Sequence, residues 1–265
     1  PALAVVSLGG LELLKKFGIH PNMVAGHSSG EYTALCAAGV ISEHTLYNLT
    51  AARGSCIQDM SSNDPGGMLA IKDTREKVEE LIESIDQAWV ANLNSPEQTI
   101  VSGTKEAVAE LHKTCKQCKI QSVPLPVSNA FHSPLIAKAK ESFKDYLHDV
   151  NFLQPKIEVY SNLTASTHTG HSFEMASTLS EHLVQPVRFQ DEIEAMYAAG
   201  ARVFVELGPR NVLAGLTSQI LQDRGSCLIT SLERHKNSGV TGLLHLLARL
   251  IAKGVSVDLD PLFQG

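Results

Sequence analysis

The sequence lacks the features that mark several large classes of protein. No apolar stretch approaches the ~20 residues that a membrane-spanning helix requires, and no secretory signal pattern is visible. Acidic residues outnumber basic ones, and the formal net charge of −6 argues against a general nucleic-acid binder. The first residue is Pro1 instead of methionine, so we expect the chain to be a piece of a longer protein.

Cysteine is also scarce. The five cysteines, an odd number at scattered positions, do not form a disulfide framework, and a reducing cytoplasm is the expected location. Cys115 and Cys118 are spaced as C-x-x-C, but neither a second pair nor suitably spaced histidines accompany them. A redox pair would begin a helix after a strand, whereas this pair ends a helical pattern. We therefore interpret the pair as structural and expect no metal.

What is present is a globular composition, with 43% hydrophobic and 19% charged residues, and a regular order of elements. Helical and strand patterns alternate in both terminal parts of the chain, which favours a mostly parallel sheet covered by helices. After a Gly- and Ser-rich break at 61–67, the middle of the chain alternates as strand, helix, strand, strand, helix, strand, which is the ferredoxin-like order. The sequence therefore predicts an α/β fold, with a large subdomain at 1–65 and 128–265 and a ferredoxin-like insertion at 66–127.

The segment Gly-His-Ser-Ser-Gly at 26–30 carries the most specific chemical signal. It lies between a short apolar strand pattern and a helical pattern, so Ser28 stands at a strand–turn–helix corner. This G-x-S-x-G spacing is typical of a nucleophile elbow, where glycines permit the sharp turn and keep bulk away from the serine. The main-chain N–H of Ser29 can face a developing oxyanion at the helix start. An ordinary serine in a helix-starting turn is the alternative for this pattern alone.

A serine nucleophile needs a base within hydrogen-bond reach, and the chain offers 11 histidines. His132 is the strongest candidate, because it lies where the insertion returns to the large subdomain and a loop there can fold over the elbow. His27 adjoins Ser28, but successive residues in such a turn diverge, so its ring is expected to pack beneath the serine. His168 and His171 lie in a polar loop with no special context.

Several short blocks, in one fixed order, resemble those of a known enzyme family. The blocks lie at 26–31 (GHSSGE), 52–54 (ARG), 94–98 (NSPEQ), 101–103 (VSG), 129–132 (NAFH), 185–189 (QPVRF) and 205–209 (VELGP). They are similar to the motifs of malonyl-CoA:acyl-carrier-protein transacylases, the acyltransferase domains of fatty acid and polyketide synthases. The resemblance runs from about residue 1 to residue 235, and the domains of multidomain polyketide and polyunsaturated fatty acid synthases are the nearest in these blocks. It implies an α/β-hydrolase-like large subdomain around the ferredoxin-like one.

The resemblance also implies roles for individual residues. Ser28 is the nucleophile, His132 its base and Ser29 an oxyanion-hole donor, so that a Ser-His dyad performs the chemistry. Arg53 lies in the long helical pattern that follows the elbow helix, at a position where the family binds the malonyl carboxylate with an arginine. A guanidinium suits this task because it forms a flat bidentate fork. We also assign His27 to the substrate-binding set.

Further positions concern selectivity and orientation. The resemblance implies that Phe131 favours malonyl over methylmalonyl, because its ring crowds an α-methyl group. His182 stands where the family usually has Asn or Gln, and its main-chain carbonyl is expected to accept the N–H of His132. Glu31 is assigned a structural role in the first turn of the elbow helix. The family's N-terminal segment, with a GQG motif and a second oxyanion donor, is absent, so we expect an incomplete oxyanion hole.

The expected activity moves malonyl from malonyl-CoA, through a Ser28 acyl-enzyme, to the phosphopantetheine thiol of an acyl carrier protein. The expected partners are that carrier, the coenzyme A thioester and neighbouring synthase domains; no bound cofactor, nucleic acid or membrane is expected. Two alternatives stay open, namely a thioesterase-like serine hydrolase and a truncated, non-catalytic carrier-docking domain. Arg53, the insertion and the lack of an evident Asp in the order Ser-Asp-His argue against the hydrolase.

Overall fold

The computed structural model describes residues 2–58, 66–233 and 239–264. Its helices are α1 (Ala2–Lys16), α2 (Gly30–Ala37), α3 (Glu43–Gln58), α4 (Arg75–Ile82), α5 (Lys105–Gln117), α6 (Ala137–His148), α7 (Ser172–Glu181), α8 (Phe189–Ala198), α9 (Val212–Ile220) and α10 (Gly239–Ala252). Its strands are β1 (Met23–Val24), β2 (Gly67–Ile71), β3 (Ala88–Ser95), β4 (Gln98–Gly103), β5 (Ser122–Pro124), β6 (Glu158–Val159), β7 (Val203–Glu206) and β8 (Leu228–Ser231). Most of the break predicted at 61–67 lies outside the described residues.

The insertion is an antiparallel sheet in the order β3-β4-β2-β5, with α4 and α5 as its crossovers. Each helix begins at a threonine cap: the Thr74 hydroxyl accepts from the Lys77 N–H, and the Thr104 hydroxyl accepts from the Ala107 N–H. The helices pack on the sheet over buried aliphatic side chains, namely Leu69, Ile71, Val78, Val101 and Leu111. This topology confirms the predicted ferredoxin-like unit, while its exact limits at 66–127 stay a prediction.

The hairpin between β3 and β4 differs from the prediction at its turn. The residue types at 94–97, Asn-Ser-Pro-Glu, predict a turn, but β3 continues through Asn94 to Ser95, which pairs with Gln98. Only Pro96 and Glu97 therefore lie between the strands. The pairing of β3 with β4 shifts register twice, and such bulges bend and twist a strand. The consequence is that Asn94 is held on a strand instead of a loop.

The rest of the described chain pairs its strands in parallel, as the sequence predicts. β1 pairs with β6, and β7 pairs with β8. The two pairs form separate sheets instead of one. Their side chains are less buried than a sheet covered by helices would have, since every residue of β7 is only half-buried. The main core lies among the helices instead, where Tyr32, Leu35, Leu46 and Phe143 are fully buried.

Main-chain hydrogen bonds join the insertion to the large part of the chain. The Val187 N–H donates to the Ala91 carbonyl, and the Leu93 N–H donates to the Val187 carbonyl, both at 2.9 Å. The segment before α8 thus runs parallel to β3 for one bridge. This joint brings the end of β3 beside the corner between β1 and α2, where His27 reaches Asn94.

Two further features bear on the sequence interpretation. In the part of the chain that the structure describes, no helix combines the length and the hydropathy that crossing a membrane requires. Cys115 packs in the core of the insertion, whereas Cys118 is exposed.

Candidate active site

The chain makes a tight turn at Ser28, between β1 and α2. Ser28 has a φ of +53°, in the left-handed region that costs an L-residue roughly 1–2 kcal/mol. A Cβ on Gly26 would lie 2.1 Å from the carbonyl carbon of Gly30, so only glycine fits there. A Cβ on Gly30 would meet open space. The turn therefore requires the first glycine of the motif but leaves room at the second.

Asn162 holds this turn in place, and sequence reasoning missed it. Its side chain is fully buried. The Oδ1 atom accepts from the Ser28 N–H at 2.6 Å, and the Nδ2 group donates to the Gly26 carbonyl at 2.5 Å and to Glu192 Oε2 at 2.9 Å. One amide thus bridges both arms of the corner. The only sequence signal was a polar residue just beyond the carboxyl end of a parallel strand, where sites in α/β folds gather.

Glu192, on α8, is a buried carboxyl whose only described side-chain partner is that amide. Burial and the charge of Glu31 raise the pKa of Glu192 well above its ordinary value, and the Asn162 bond only partly opposes them. The folded chain therefore binds the proton of the Glu192 carboxyl more tightly than the unfolded chain does, because the carboxyl of the unfolded chain has the ordinary pKa of 4.5. Its contribution to stability is full below that value and is lost as the pH rises through the folded pKa.

Replacing Glu192 with glutamine should remove this pH dependence, because the amide mimics the protonated carboxyl and cannot ionise. We expect the melting temperatures of Glu192→Gln and the wild type to differ little at about pH 4.5. At about pH 8 the variant should melt roughly 2–4 °C higher, as expected for a gain of about 1 kcal/mol in a chain of this size. Calorimetry at both pH values measures this. Glu194→Gln, a less buried change on the same helix, is the control, and a variant that melts no higher than the wild type at pH 8 contradicts the account.

Ser28 and His132 form a hydrogen-bonded pair. The Ser28 hydroxyl donates to His132 Nε2 at 2.7 Å, and His132 Nδ1–H donates to the main-chain carbonyl of His182 at 2.9 Å. A carbonyl only accepts, so the proton lies on Nδ1 and the lone pair of Nε2 faces the serine. Burial, followed by the charges of His182 and Arg53, holds the pKa of His132 well below its ordinary value, so the imidazole is neutral at pH 7. This is the state in which a general base can act.

Arg53 and Phe131 lie beside this pair. The guanidinium carbon of Arg53, on α3, is 6.0 Å from the ring centroids of both Tyr32 and Phe131. Within the described ranges, no Asp or Glu lies within ion-pair distance of this guanidinium. The Phe131 carbonyl accepts from the Ser102 hydroxyl at 2.5 Å, which fixes the loop that carries the base. The structure thus brings a cation, without a carboxylate partner in the described ranges, close enough to His132 to lower the pKa of the base.

His27 lies beneath the elbow instead of facing outward. Its Nε2–H donates to Asn94 Oδ1 at 2.8 Å, and its ring meets Phe189 edge-on at 5.4 Å between centroids. Burial lowers its pKa. These contacts favour the packing interpretation, and its assignment to substrate binding stays a prediction. Ser29 precedes the first residue of α2, and among the described residues no acceptor engages its N–H.

A second cluster behind the dyad was not foreseen. Glu31 is 1% exposed; its Oε1 accepts from His168 Nε2–H at 2.8 Å, and its Oε2 lies 3.1 Å from His182 Nδ1. Burial by itself would raise the pKa of Glu31, but the hydrogen bonds and charges of the two histidines outweigh it and lower the pKa to about 2. The ring of His182 lies 4.9 Å from the ring of His132. No local sequence signal links a first-turn glutamate to a histidine 137 positions later.

The chain is similar to proteins of known name along nearly all of its length. The family described as "Acyl transferase domain" matches residues 1–256. A polyunsaturated fatty acid synthase polypeptide of Thraustochytrium sp. is 33% identical over 265 residues, which cover 97% of this chain and 9% of that protein. Malonyl CoA-acyl carrier protein transacylase of Bacillus subtilis is 34% identical over 226 residues, which cover 83% of this chain and 71% of that protein.

Solved structures agree with these matches. The acyltransferase domain from the second module of the salinomycin polyketide synthase superposes with a TM-score of 0.89 at 32% identity. The match covers 97% of this chain and 60% of that one. The chain therefore spans less than a tenth of the long Thraustochytrium synthase polypeptide and less than two thirds of the solved domain.

Proposed function

This chain belongs to the acyl transferase domain family, and we propose that it transfers malonyl groups from malonyl-CoA to the phosphopantetheine thiol of an acyl carrier protein. One observation carries the proposal: a serine hydroxyl 2.7 Å from a neutral imidazole shares its site with an arginine that has no carboxylate partner among the described residues. The name of the Bacillus subtilis relative supports the malonyl and carrier-protein assignments.

In the first half-reaction His132 Nε2 takes the proton of Ser28 while Oγ attacks the thioester carbonyl carbon. The carbonyl oxygen becomes an oxyanion, which the Ser29 N–H stabilises at the start of α2. The intermediate collapses by breaking the carbon–sulfur bond. His132 returns its proton to the departing thiolate, so coenzyme A leaves as a thiol and malonyl stays on Ser28 as an ester.

The second half-reaction runs the same steps with a different thiol. His132 takes the proton of the carrier's phosphopantetheine thiol as its sulfur attacks the ester. The tetrahedral intermediate expels Ser28 Oγ, which regains its proton from His132. The main-chain carbonyl of His182 keeps the imidazole in the required tautomer through both steps. Coenzyme A is a substrate here, and the carrier brings its own phosphopantetheine, so the proposal needs no bound cofactor.

Arg53 and Phe131 are the proposed selectivity determinants. A partly buried malonyl carboxylate needs a partner, and the bidentate fork of Arg53 supplies one. The ring of Phe131, beside that guanidinium, would crowd an α-methyl group. One methyl group is worth only about 1–3 kcal/mol in a pocket, so this position sets a preference for malonyl over methylmalonyl.

We place the active site at the joint between 66–127 and the two segments 1–65 and 128–265, which form the large subdomain. Contacts across this joint support that division, since Ser102 holds the loop of the base and His27 reaches the end of β3. Neighbouring synthase domains are the proposed structural partners. A reducing cytoplasm is the proposed location, in keeping with the free cysteines of the described chain.

Malonyl-CoA offered with and without a holo acyl carrier protein tests the proposed function. We expect malonyl-carrier to form much faster than free malonate, because the acyl-enzyme should react with the carrier's thiol faster than with water. Mass spectrometry of the carrier and an enzymatic assay of malonate measure the two products. Release of malonate at one rate, whether or not the carrier is present, would indicate a hydrolase. Formation of neither product would indicate a non-catalytic domain.

A further inference from the structure

We propose that Glu31 is a positioning residue for the transfer reaction, which couples the nucleophile to its base through the side chains of His182 and His168. The inference rests on the proposed function, because the step that it serves is the acylation of Ser28. Glu31 touches neither of the reacting atoms. Its effect reaches them through the contacts of the two histidines.

The carboxylate of Glu31 is rigidly attached to the nucleophile. Glu31 is the second residue of α2 and lies three positions after Ser28, whose carbonyl accepts the Glu31 N–H at 3.1 Å. Its side chain is almost fully buried, so the carboxylate cannot turn toward solvent. A shift of α2 would therefore move the serine and the carboxylate together.

The carboxylate also holds the residue that orients the base. His182 caps the C-terminus of α7, and its main-chain carbonyl accepts from His132 Nδ1–H. The side chain of the same residue places Nδ1 3.1 Å from Glu31 Oε2. The contacts thus close a ring in space: Ser28 to His132, His132 to the His182 carbonyl, and the His182 imidazole to Glu31, which returns to Ser28 along one helical turn. Through these contacts one carboxylate sets the distance between nucleophile and base.

His168 provides a second anchor for the same carboxylate. Its Nε2–H donates to Glu31 Oε1 at 2.8 Å, and its main-chain N–H donates to the Val159 carbonyl at 2.9 Å. Val159 belongs to β6, which pairs with β1, the strand that leads into the elbow. The carboxylate is therefore tied to the sheet as well as to α7. A buried charge with one imidazole donor and a second imidazole nitrogen 3.1 Å away is costly to disturb, because loss of either neighbour leaves it less well compensated.

The experiment compares the rate of Ser28 acylation among matched variants. Glu31→Gln removes the charge. His182→Leu removes the polar side chain that faces Glu31 but keeps the main-chain carbonyl, while His182→Asn keeps the carbonyl and a polar side chain, since its amide replaces Nδ1. Glu43→Gln changes an exposed first-turn glutamate of α3 and serves as the control. Each variant is assayed by the coenzyme A burst with malonyl-CoA, and by the labelling rate of a fluorophosphonate, which reports activation of the serine without a malonyl group.

We expect Glu31→Gln and His182→Leu to slow both reactions about 10- to 100-fold, the cost of misplacing reacting groups by about 1 Å. The KM for malonyl-CoA and the burst amplitude should stay near those of the wild type, because binding groups and the number of active sites are unchanged. A merely structural role would lower the amplitude instead. His182→Asn and Glu43→Gln should stay within about threefold of the wild type, and the Glu31→Gln/His182→Leu double variant should be no slower than its slower single.

Wild-type rates in Glu31→Gln or His182→Leu, or a double variant whose loss is the product of the two single losses, would overturn the inference. If Glu31→Gln fails to fold, the comparison of His182→Leu with His182→Asn decides, and equal rates for the two would overturn it. If the wild type reacts with the fluorophosphonate but not with malonyl-CoA, the proposed function fails while the labelling rates still test Glu31. If the wild type reacts with neither, both proposals fall.

Discussion

The variant Ser28→Ala should lose malonyl transfer almost completely, by about 10⁴- to 10⁶-fold in kcat, as is typical when a covalent nucleophile is removed. The Ser28 hydroxyl lies 2.7 Å from His132 Nε2, and an alanine leaves the base without a proton to take. Alanine adopts the left-handed φ of this position about as well as serine does, so the elbow should be retained. The rate of coenzyme A release in the presence of holo carrier protein measures the loss.

Two controls separate chemistry from folding in this experiment. Ser142→Ala, an exposed serine on α6, should leave the rate unchanged. The melting temperature of Ser28→Ala should stay within a few degrees of the wild type, since the base is the one hydrogen-bond partner of this hydroxyl among the described residues. Transfer by Ser28→Ala at more than about one hundredth of the wild-type rate would place the nucleophile elsewhere, because background reactions without it are far slower.

Replacement of Arg53 should give the second largest effect, and the effect should depend on the substrate. Arg53→Ala removes the proposed partner of the malonyl carboxylate. Loss of one partner of a buried charge pair costs about 2–5 kcal/mol, so kcat/KM for malonyl-CoA should fall by roughly 30- to 5,000-fold. Acetyl-CoA has no carboxylate, so its kcat/KM should change by less than about threefold or rise.

The ratio of the two kcat/KM values is the informative quantity for Arg53. Arg53→Lys should recover part of the malonyl activity, because the charge remains and the bidentate fork is lost. Arg75→Ala, an exposed arginine of the insertion, is the control and should leave the ratio unchanged. An equal loss for malonyl and acetyl substrates would show that Arg53 supports the fold, through Tyr32 and Phe131, instead of binding the carboxylate.

Two glutamates buried near the elbow have pKa values that are shifted in opposite directions, and their partners explain the difference. Glu31 lies between two imidazoles, which hold its pKa at about 2. Glu192 has only the amide of Asn162 beside it, and it faces the negative charge of Glu31, so its pKa is raised. The first is therefore an anion at neutral pH and can anchor histidines. The second keeps its proton to a higher pH than an ordinary carboxyl does, and it accepts a hydrogen bond from the amide beneath the nucleophile.

Features set by neighbouring residues could be predicted from the sequence. The insertion follows from alternating strand and helix patterns within about 60 residues, and its strand order confirms the prediction. The end of β3 could not be predicted, because Asn94 and Ser95 have turn-forming side chains. Cross-strand pairing with β4 overrides that preference. The separate parallel pairs of the large part likewise depend on distant partners.

The same distinction holds in the site. Ser28 is predicted from local spacing and His132 is a candidate from its place at the end of the insertion, whereas Arg53 and the His182 carbonyl are assigned through ordered motifs. The structure brings these groups together. Asn162 was missed, because it reaches Ser28 over 134 positions and its type has no special chemistry. The contacts of the Glu31 side chain were missed for the same reason. Long-range hydrogen bonds leave no periodic trace in a sequence.

The acyl-enzyme itself is the most direct test of the account. The wild type and Ser28→Ala are each mixed with malonyl-CoA, acid-quenched and analysed by intact mass and peptide mapping. The account predicts one malonyl group per wild-type chain, located on Ser28, discharged rapidly by holo carrier protein and only slowly by water. The alanine variant should carry none. A wild type without the adduct, an adduct on another residue, or discharge at the same rate with and without the carrier would contradict it.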